Sequence, residues 1–183
     1  YLKNPVFSNM DIIKQIKIYP PANDGTSRIL VIYEVEDVLP EEDNGHYLSI
    51  DLGLHNLMTC YDNVGKTFII GREYLSLSYF YNKEIARVQS QWGRIQAARE
   101  MEDLKTSKHL QKLYRKKNDC IKDYIHKMTR YITNYCVKND IHTVVIGDIK
   151  GIRKERNLGR KTNQKLHSLP YARIYMQLKY KLK

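Results

Sequence analysis

Cysteine is scarce in this chain and indicates no covalent or metal site. Cys60, Cys120 and Cys136 are the three cysteines, and no two of them form a C-x-x-C pair. Such an odd, widely spaced set offers neither a disulfide framework nor a zinc site. The six histidines also lack the spacing of metal ligands. We therefore expect a reducing, cytoplasmic environment and no zinc within these 183 residues.

Long apolar runs are absent as well. No segment approaches the ~20 consecutive apolar residues that a membrane-spanning helix needs, so no membrane partner is expected. Hydrophobic residues make up 42% of the 183 positions. This is enough to build the core of one domain with an appendage.

Positive charge is present in excess and is concentrated in two blocks. The formal net charge is +11. Residues 105–138 carry ten Lys/Arg against two acids, and residues 150–183 carry eleven against one, so the remainder of the chain is net negative. Two basic blocks on a mildly acidic body indicate a polyanionic partner, and we expect nucleic acid. For the first block, a solvated helix face is the alternative interpretation.

Residues 47–56, Y-L-S-I-D-L-G-L-H-N, begin with an apolar run that ends in an acid. Asp51 closes the run, and Gly53 allows the backbone to turn sharply after it. A carboxylate at the end of a buried strand is costly unless a cation meets it. We therefore expect Asp51 to be a metal ligand, an ion-pair partner or a catalytic group.

The other patterns predict short strands around a long helical hairpin. Residues 11–19 and 28–36 resemble two strands joined by a turn, which we interpret as the end of a small β-domain whose other strands are missing. Further strands are expected at 47–51, 56–62 and 66–70. Apolar residues then recur at steps of three and four, which predicts helices at roughly 79–103 and 108–138 with a break at Thr106 and Ser107.

A second acid-ended strand follows the helices, at residues 142–149, and its acid is Asp148. The long crossover favours a parallel pairing with the strand of Asp51, and strand ends in such sheets are where sites form. Two carboxylates from distant parts of a sequence can hold Mg²⁺ or Mn²⁺, which activates water in phosphodiester cleavage. These residues support a nuclease hypothesis, with no small-molecule substrate expected.

A basic loop comes directly after this second strand, at residues 150–165. Flexible Arg and Lys side chains there would neutralise phosphates and contribute affinity without choosing a sequence. A merely solubilising loop is the alternative. The candidate nucleic-acid-binding residues are Arg153, Lys154, Arg156, Arg160, Lys161 and Lys165.

Four patterns, taken together and in order, resemble the TnpB (OrfB) family of insertion-sequence-encoded proteins, relatives of the type V CRISPR effectors. They are I-K-I-Y…V-I-Y-E-V-E, I-D-L-G-L-H-N, V-V-I-G-D-I-K-G and Y-M-Q-L-K-Y-K-L. The resemblance implies an α/β fold with an RNase H-like (RuvC) mixed sheet, an inserted helical hairpin and RNA-guided, Mg²⁺-dependent DNA cleavage. It also implies DNA and guide RNA as partners in a bacterial, nucleoid-associated setting, and Asp51 as a catalytic metal ligand.

The resemblance predicts residues 1–44 as the end of a wedge-like β-domain and 45–183 as a nuclease domain. The family's zinc ribbon and third catalytic Asp are not found, so we expect the chain to be truncated before them and zinc to belong to that missing region. The family also places Glu before the second acid, where this chain has Gly147. Because strand side chains alternate, Asp148 should not replace a carboxylate at 147, although it remains the candidate second ligand.

Two alternatives to an active nuclease remain open at this point. Gly147 is also compatible with a catalytically inactive nucleic-acid-binding protein or a transposon remnant. The segment I-D-L-G-L-H-N further resembles the first phosphate loop of actin-like sugar kinases, but Leu54 stands where they carry a second Gly and no later Gly-rich loop follows. On the nuclease interpretation, we expect these 183 residues alone not to cleave DNA.

Overall fold

A computed structural model describes residues 12–22, 26–34, 36, 39, 42–100, 107–148, 159, 162, 163, 165 and 169–182. Contacts group the chain into two units, one of residues 1–39 and 83–116 and the other of residues 40–82 and 117–183. The division predicted between residues 44 and 45 remains a prediction, because these units assign neither a wedge-like domain nor a nuclease domain.

The first unit contains a β-hairpin. Strands β1 (Ile13–Tyr19) and β2 (Arg28–Tyr33) pair antiparallel from Tyr19 opposite Arg28, with a bulge between Ile13 and Gln15. The pairing confirms the two strands expected from the sequence. Almost every side chain of the hairpin is exposed, so the described residues give it little apolar burial.

The same unit contains the C-terminal part of helix α1 (Tyr74–Ala98) and the N-terminal part of helix α2 (Lys108–Lys138). Ile85, Val88 and Leu110 form a small buried cluster there. Helix α2 has the predicted bounds, and its first turn is capped where the Ser107 hydroxyl accepts a hydrogen bond from the backbone N–H of Leu110 at 3.2 Å.

Helix α1 begins earlier than residue 79 because a glycine places its start. Gly71 has a φ of +89°, and a Cβ there would lie 2.6 Å from Cβ of Leu57. Only glycine fits this close approach in the left-handed region, and the chain enters α1 from it. Leu57 is distant in sequence from α1, so the helical periodicity alone could not locate the boundary.

The second unit is built on a four-stranded mixed sheet with the order β5-β4-β3-β6. Strands β3 (Tyr47–Asp51), β4 (Met58–Asp62) and β5 (Thr67–Ile70) form an antiparallel meander. Strand β6 (Thr143–Ile146) returns after α2 and pairs parallel to β3, with Leu48 opposite Val144. The expected parallel pairing is thus confirmed, and the chain has a mixed α/β fold.

One face of this sheet forms the core. Alternate residues of β3 and β4 lie beneath α2 and α3 (Tyr171–Lys181), and Leu48, Ile50, Met58 and Cys60 are at most 1% exposed. Helix α2 contributes a stripe at steps of three and four, as its periodicity predicts. Its buried members are Ile121, Ile125, Met128, Ile132 and Cys136.

A buried polar contact fixes α3 to α2 within this core. The Thr129 hydroxyl donates to the Gln177 side-chain oxygen at 2.9 Å, and both residues are buried. The Lys181 ammonium donates to the same hydroxyl at 2.6 Å and to the His126 carbonyl at 3.1 Å. These bonds give the two helices one defined register.

No helix within the described part of the chain is long and apolar enough to cross a membrane.

Candidate functional site

Asp51 lies at the end of β3 on the sheet face opposite the core. The strand alternates, with Leu48 and Ile50 buried and with Tyr47 and Asp51 exposed. The expectation of a buried carboxylate was therefore wrong, because the apolar run is buried on one face only. Because Asp51 is exposed, its carboxylate stays hydrated and does not require a cation for its stability.

No residue in the described ranges forms an ion pair or hydrogen bond with the Asp51 carboxylate. Of the three roles considered for this acid, pairing with a described cation is thus excluded. The metal-ligand and catalytic roles of Asp51 stay predictions, and an exposed carboxylate is accessible to a hydrated cation.

The turn after Asp51 depends on Gly53 through close packing. A Cβ on Gly53 would lie 2.8 Å from the Asn56 carbonyl oxygen, a distance that real Cβ atoms essentially never show. The φ of Gly53 is not positive, so the reason for glycine is space rather than backbone conformation. The tight turn joins Asp51 to β4 and places Thr59 directly opposite it.

Gly147 continues the parallel ladder next to Asp51. Its N–H donates to the Ile50 carbonyl at 3.0 Å, one step beyond the last residue of β6. A Cβ at 147 would lie 3.9 Å from Oδ1 of Asp51 and 3.8 Å from the Ile50 carbonyl oxygen, which are ordinary contacts. A side chain at this position would therefore begin beside the Asp51 carboxylate.

Asp148 follows as the next residue and is exposed. Since position 147 points to Asp51, strand alternation directs position 148 to the other side of the backbone. No group of three or more His, Cys, Asp or Glu that could hold a metal ion occurs among the described residues. Asp51 can supply one oxygen ligand to Mg²⁺ or Mn²⁺, but the described acids do not complete a site.

Sequence reasoning did not single out the hydroxyl-bearing neighbours of Asp51. Thr59 lies opposite Asp51, and Ser49 lies between Tyr61 on β4 and Val145 on β6. All of them share the face of Asp51, and Tyr61 and Val145 are exposed. The alternation in Y-L-S-I-D was the signal that could have indicated this face.

The basic loop falls mostly outside the described residues, which exclude Arg153, Lys154, Arg156, Arg160 and Lys161. Lys165 is described, and its Nζ lies 5.7 Å from the centroid of the Tyr79 ring. This distance is within the range of a cation–π contact. Phosphate binding by the six residues stays a prediction.

The buried titratable groups belong to the core face rather than to the site. The Tyr135 hydroxyl donates to Asp62 at 2.8 Å, and burial followed by this bond raises the pKa of Tyr135 to about 12. Burial also raises the pKa of the Cys60 thiol to about 12 and that of Cys136 to about 11. Such protonated thiols are unreactive, so neither is a candidate nucleophile.

A family model described as a probable transposase, OrfB_IS605, matches residues 30–153. This range includes β3 with Asp51 and β6 with Gly147 and Asp148. The chain belongs to the OrfB_IS605 family. The match confirms the TnpB/OrfB resemblance inferred from the four sequence patterns. No curated protein matches the chain.

One of two similar solved structures shares the fold of this family member closely enough to support a fold comparison. The Cas12f1–sgRNA–target DNA complex, determined by cryo-EM, matches with 20% identity and a TM-score of 0.51 over 84% of this chain and 35% of that one. A CRISPR–Cas12f ternary complex matches with 17% identity and a TM-score of 0.49 over 91% and 32%. The chain thus spans about a third of the length of these solved chains.

Proposed function

We propose that this chain carries part of the nuclease domain of an RNA-guided DNA endonuclease with an RNase H-like (RuvC) sheet. The observation that supports it is the exposed Asp51 at the end of β3, beside the parallel strand β6. The residue after β6 is Gly147, where a Cβ would lie 3.9 Å from Oδ1 of Asp51. Family membership and the shared fold with an RNA- and DNA-bound effector agree with DNA and guide RNA as partners.

In this proposal Asp51 is the first ligand of Mg²⁺ or Mn²⁺. Asp148, which strand alternation directs to the other side of the backbone, would be the second ligand only if the chain twisted after β6. Mg²⁺ is commonly held by one or two carboxylates together with water and substrate phosphates, so an exposed Asp51 fits one corner of such a site. The bound ion would activate water and stabilise the leaving oxygen. The residues of the chain would hold the phosphodiester at the open face of the sheet.

The described residues do not supply the remaining ligands, and Gly147 supplies none. We therefore propose that the 183 residues alone bind nucleic acid but do not cleave it. A purified chain that cut DNA in Mg²⁺, and stopped doing so in the Asp51→Asn variant, would contradict this.

The sharpest test adds a carboxylate at position 147. A Cβ there would lie 3.9 Å from Oδ1 of Asp51 and would overlap no neighbour, so Gly147→Glu begins without a clash beside that carboxylate. Two adjacent carboxylates attract a divalent cation more strongly than one. We expect Mn²⁺ affinity, measured by electron paramagnetic resonance or calorimetry, to rise by at least about 10-fold, or ~1.4 kcal/mol.

Two matched variants control this experiment. Gly147→Gln adds the same bulk without charge and should leave Mn²⁺ affinity near that of the unmodified chain. Asp51→Asn combined with Gly147→Glu should lose the gain, because one of the two ligands is absent. An equal rise in the Gln variant, or a gain that survives loss of Asp51, would rule out a metal site at this position.

A catalytically inactive nucleic-acid-binding protein is the second candidate, and Gly147 is the observation that favours it. The two candidates differ in one measurement on a longer chain of the same gene. DNA cleavage that depends on Asp51 supports the nuclease, whereas binding of guide RNA and DNA without cleavage supports the inactive binder.

A further inference from the structure

Basic residues form a regular stripe on α2 outside its buried face. Lys122, His126 and Arg130 stand at intervals of four residues, so they lie on one side of the helix. The stripe extends over about 12 Å of helix axis. Lys122 and Arg130 are exposed and His126 is partly so.

Helix α3 brings two further cations to this stripe. Its Lys181 ammonium reaches the His126 carbonyl at 3.1 Å and the Thr129 hydroxyl at 2.6 Å. Arg173 is on an earlier turn of α3 and is exposed. Its charge is close enough to lower the pKa of His126. We call Lys122, His126, Arg130, Arg173 and Lys181 the cationic cluster; it joins the two basic blocks of the sequence into one surface of the second unit.

The cluster lacks acidic partners in the described part of the chain. Lys122, Arg130, Arg173 and Lys181 form no ion pair with any described residue. The adjacent acid, Asp123, pairs with Lys127 at 2.7 Å. Like charges that form no ion pairs repel one another, and an anion would relieve that repulsion.

Both burial and neighbouring charges act on the pKa of two cluster members. Burial, followed by the charges of Lys181 and Lys122, lowers the pKa of His126 below 6.5; Arg173 acts in the same direction and Asp123 opposes it. Burial and the charge of Arg130 lower the pKa of Lys181. An approaching polyanion would favour the protonated form of His126 and so raise its pKa.

We propose that the cationic cluster binds the phosphate backbone of nucleic acid at a site separate from Asp51. Its length of about 12 Å corresponds to about three phosphates along one strand of a duplex. Helices α2 and α3 cover the core face of the sheet, whereas Asp51 is on the opposite face. Phosphates held here would position the nucleic acid and would not be the ones that react.

The test removes three exposed charges and leaves the partly buried hydrogen bonds of Lys181 in place. In the chain with Lys122→Gln, Arg130→Gln and Arg173→Gln, we expect affinity for a labelled oligonucleotide duplex to fall at least about 10-fold at moderate salt. The slope of log affinity against log salt should become shallower by about 0.9 for each phosphate that the variant no longer neutralises.

A matched control removes three charges from the first unit. Lys17→Gln, Arg28→Gln and Arg94→Gln change exposed residues and lower the net charge equally. This variant should keep most of its affinity if the cluster is a site. An equal loss in both variants would show that only net charge matters and would overturn the proposal, provided that both unfold like the unmodified chain in thermal melts.

The His126 ring gives an independent measurement. Its pKa, followed by nuclear magnetic resonance, should rise on addition of the duplex in the unmodified chain and in the control variant, but not in the cluster variant. An unchanged His126 pKa at saturating duplex would overturn the proposal. So would binding to vesicles of anionic lipid at least as tight as duplex binding, because it would indicate a membrane surface as the partner.

This inference rests on the proposed function only for the choice of nucleic acid as the polyanion. Failure of this inference can be distinguished from failure of the proposed nuclease function, because the duplex assay needs neither Mg²⁺ nor Asp51. Loss of Mn²⁺ binding in Asp51→Asn with unchanged duplex affinity would support the separation of the two sites.

Discussion

The two faces of the four-stranded sheet are formed by the same strands but differ in burial and in polarity. One face holds Leu48, Ile50, Met58 and Cys60, which are at most 1% exposed beneath two helices. The other holds Tyr47, Ser49, Asp51, Thr59 and Tyr61, with Asp51 exposed. Alternation of side chains therefore separates stability from chemistry within a single strand, residue by residue.

The largest expected effect concerns adjacent residues of β3. Leu48→Ala should lower the free energy of unfolding by about 2–5 kcal/mol, because it removes a fully buried side chain and leaves a cavity. Ser49→Ala, on the open face, should change it by no more than about 0.5 kcal/mol. Chemical denaturation of both variants measures the contrast, and similar losses at the two positions would show that both faces are packed.

A second effect should appear at alkaline pH, because the core face buries groups that ionise there. The pKa values of Cys60 and Cys136 are raised from 9.0 to about 12 and about 11, and that of Tyr135 from 10.0 to about 12. Between the ordinary and raised values the unfolded chain releases protons that the folded chain keeps, so stability decreases as pH rises.

We expect unfolding experiments to show that the free energy of unfolding falls continuously, by several kcal/mol, between pH 8 and 11. Replacing both buried cysteines with Ala should lower stability at pH 8 but make its pH dependence shallower. A profile that stayed flat to pH 11 in the unmodified chain would contradict the burial of these groups.

The smallest effect on stability should come from the site residue itself. Asp51→Asn alters an exposed side chain with no partner in the described ranges, so the free energy of unfolding should change by less than about 0.5 kcal/mol. Mn²⁺ affinity should fall at the same time. Destabilisation well above this range would mean that Asp51 has a structural partner and would weaken its role as a ligand.

The sequence predicted much of this fold because its signals are local. The hairpin of β1 and β2, the bounds of α2 and the parallel return of β6 are all confirmed. The exposure of Asp51 was missed because Y-L-S-I-D was interpreted as a continuous apolar run. Its alternation, with Tyr47 and Ser49 between the buried positions, was the better indicator.

Other features could not be predicted from local patterns. The start of α1 depends on Leu57 packing against Gly71, and the cationic cluster depends on Lys181 meeting residues 52 and 55 positions earlier. Both require the tertiary fold. The bulk of the basic loop, which the sequence made the main nucleic-acid interface, lies outside the described residues.

The parallel pairing of β3 with β6 also has a kinetic consequence. The Asn44 amide donates to the carbonyl and carboxylate of Asp140 across 96 residues, next to the point where the two strands meet. Closing a chain segment of this length costs conformational entropy before any contact within the ladder offsets it. Formation of α1 and α2 shortens the segment, so we expect the ladder between β3 and β6 to form after the helices, with Asp51 and Gly147 among the last groups to come together.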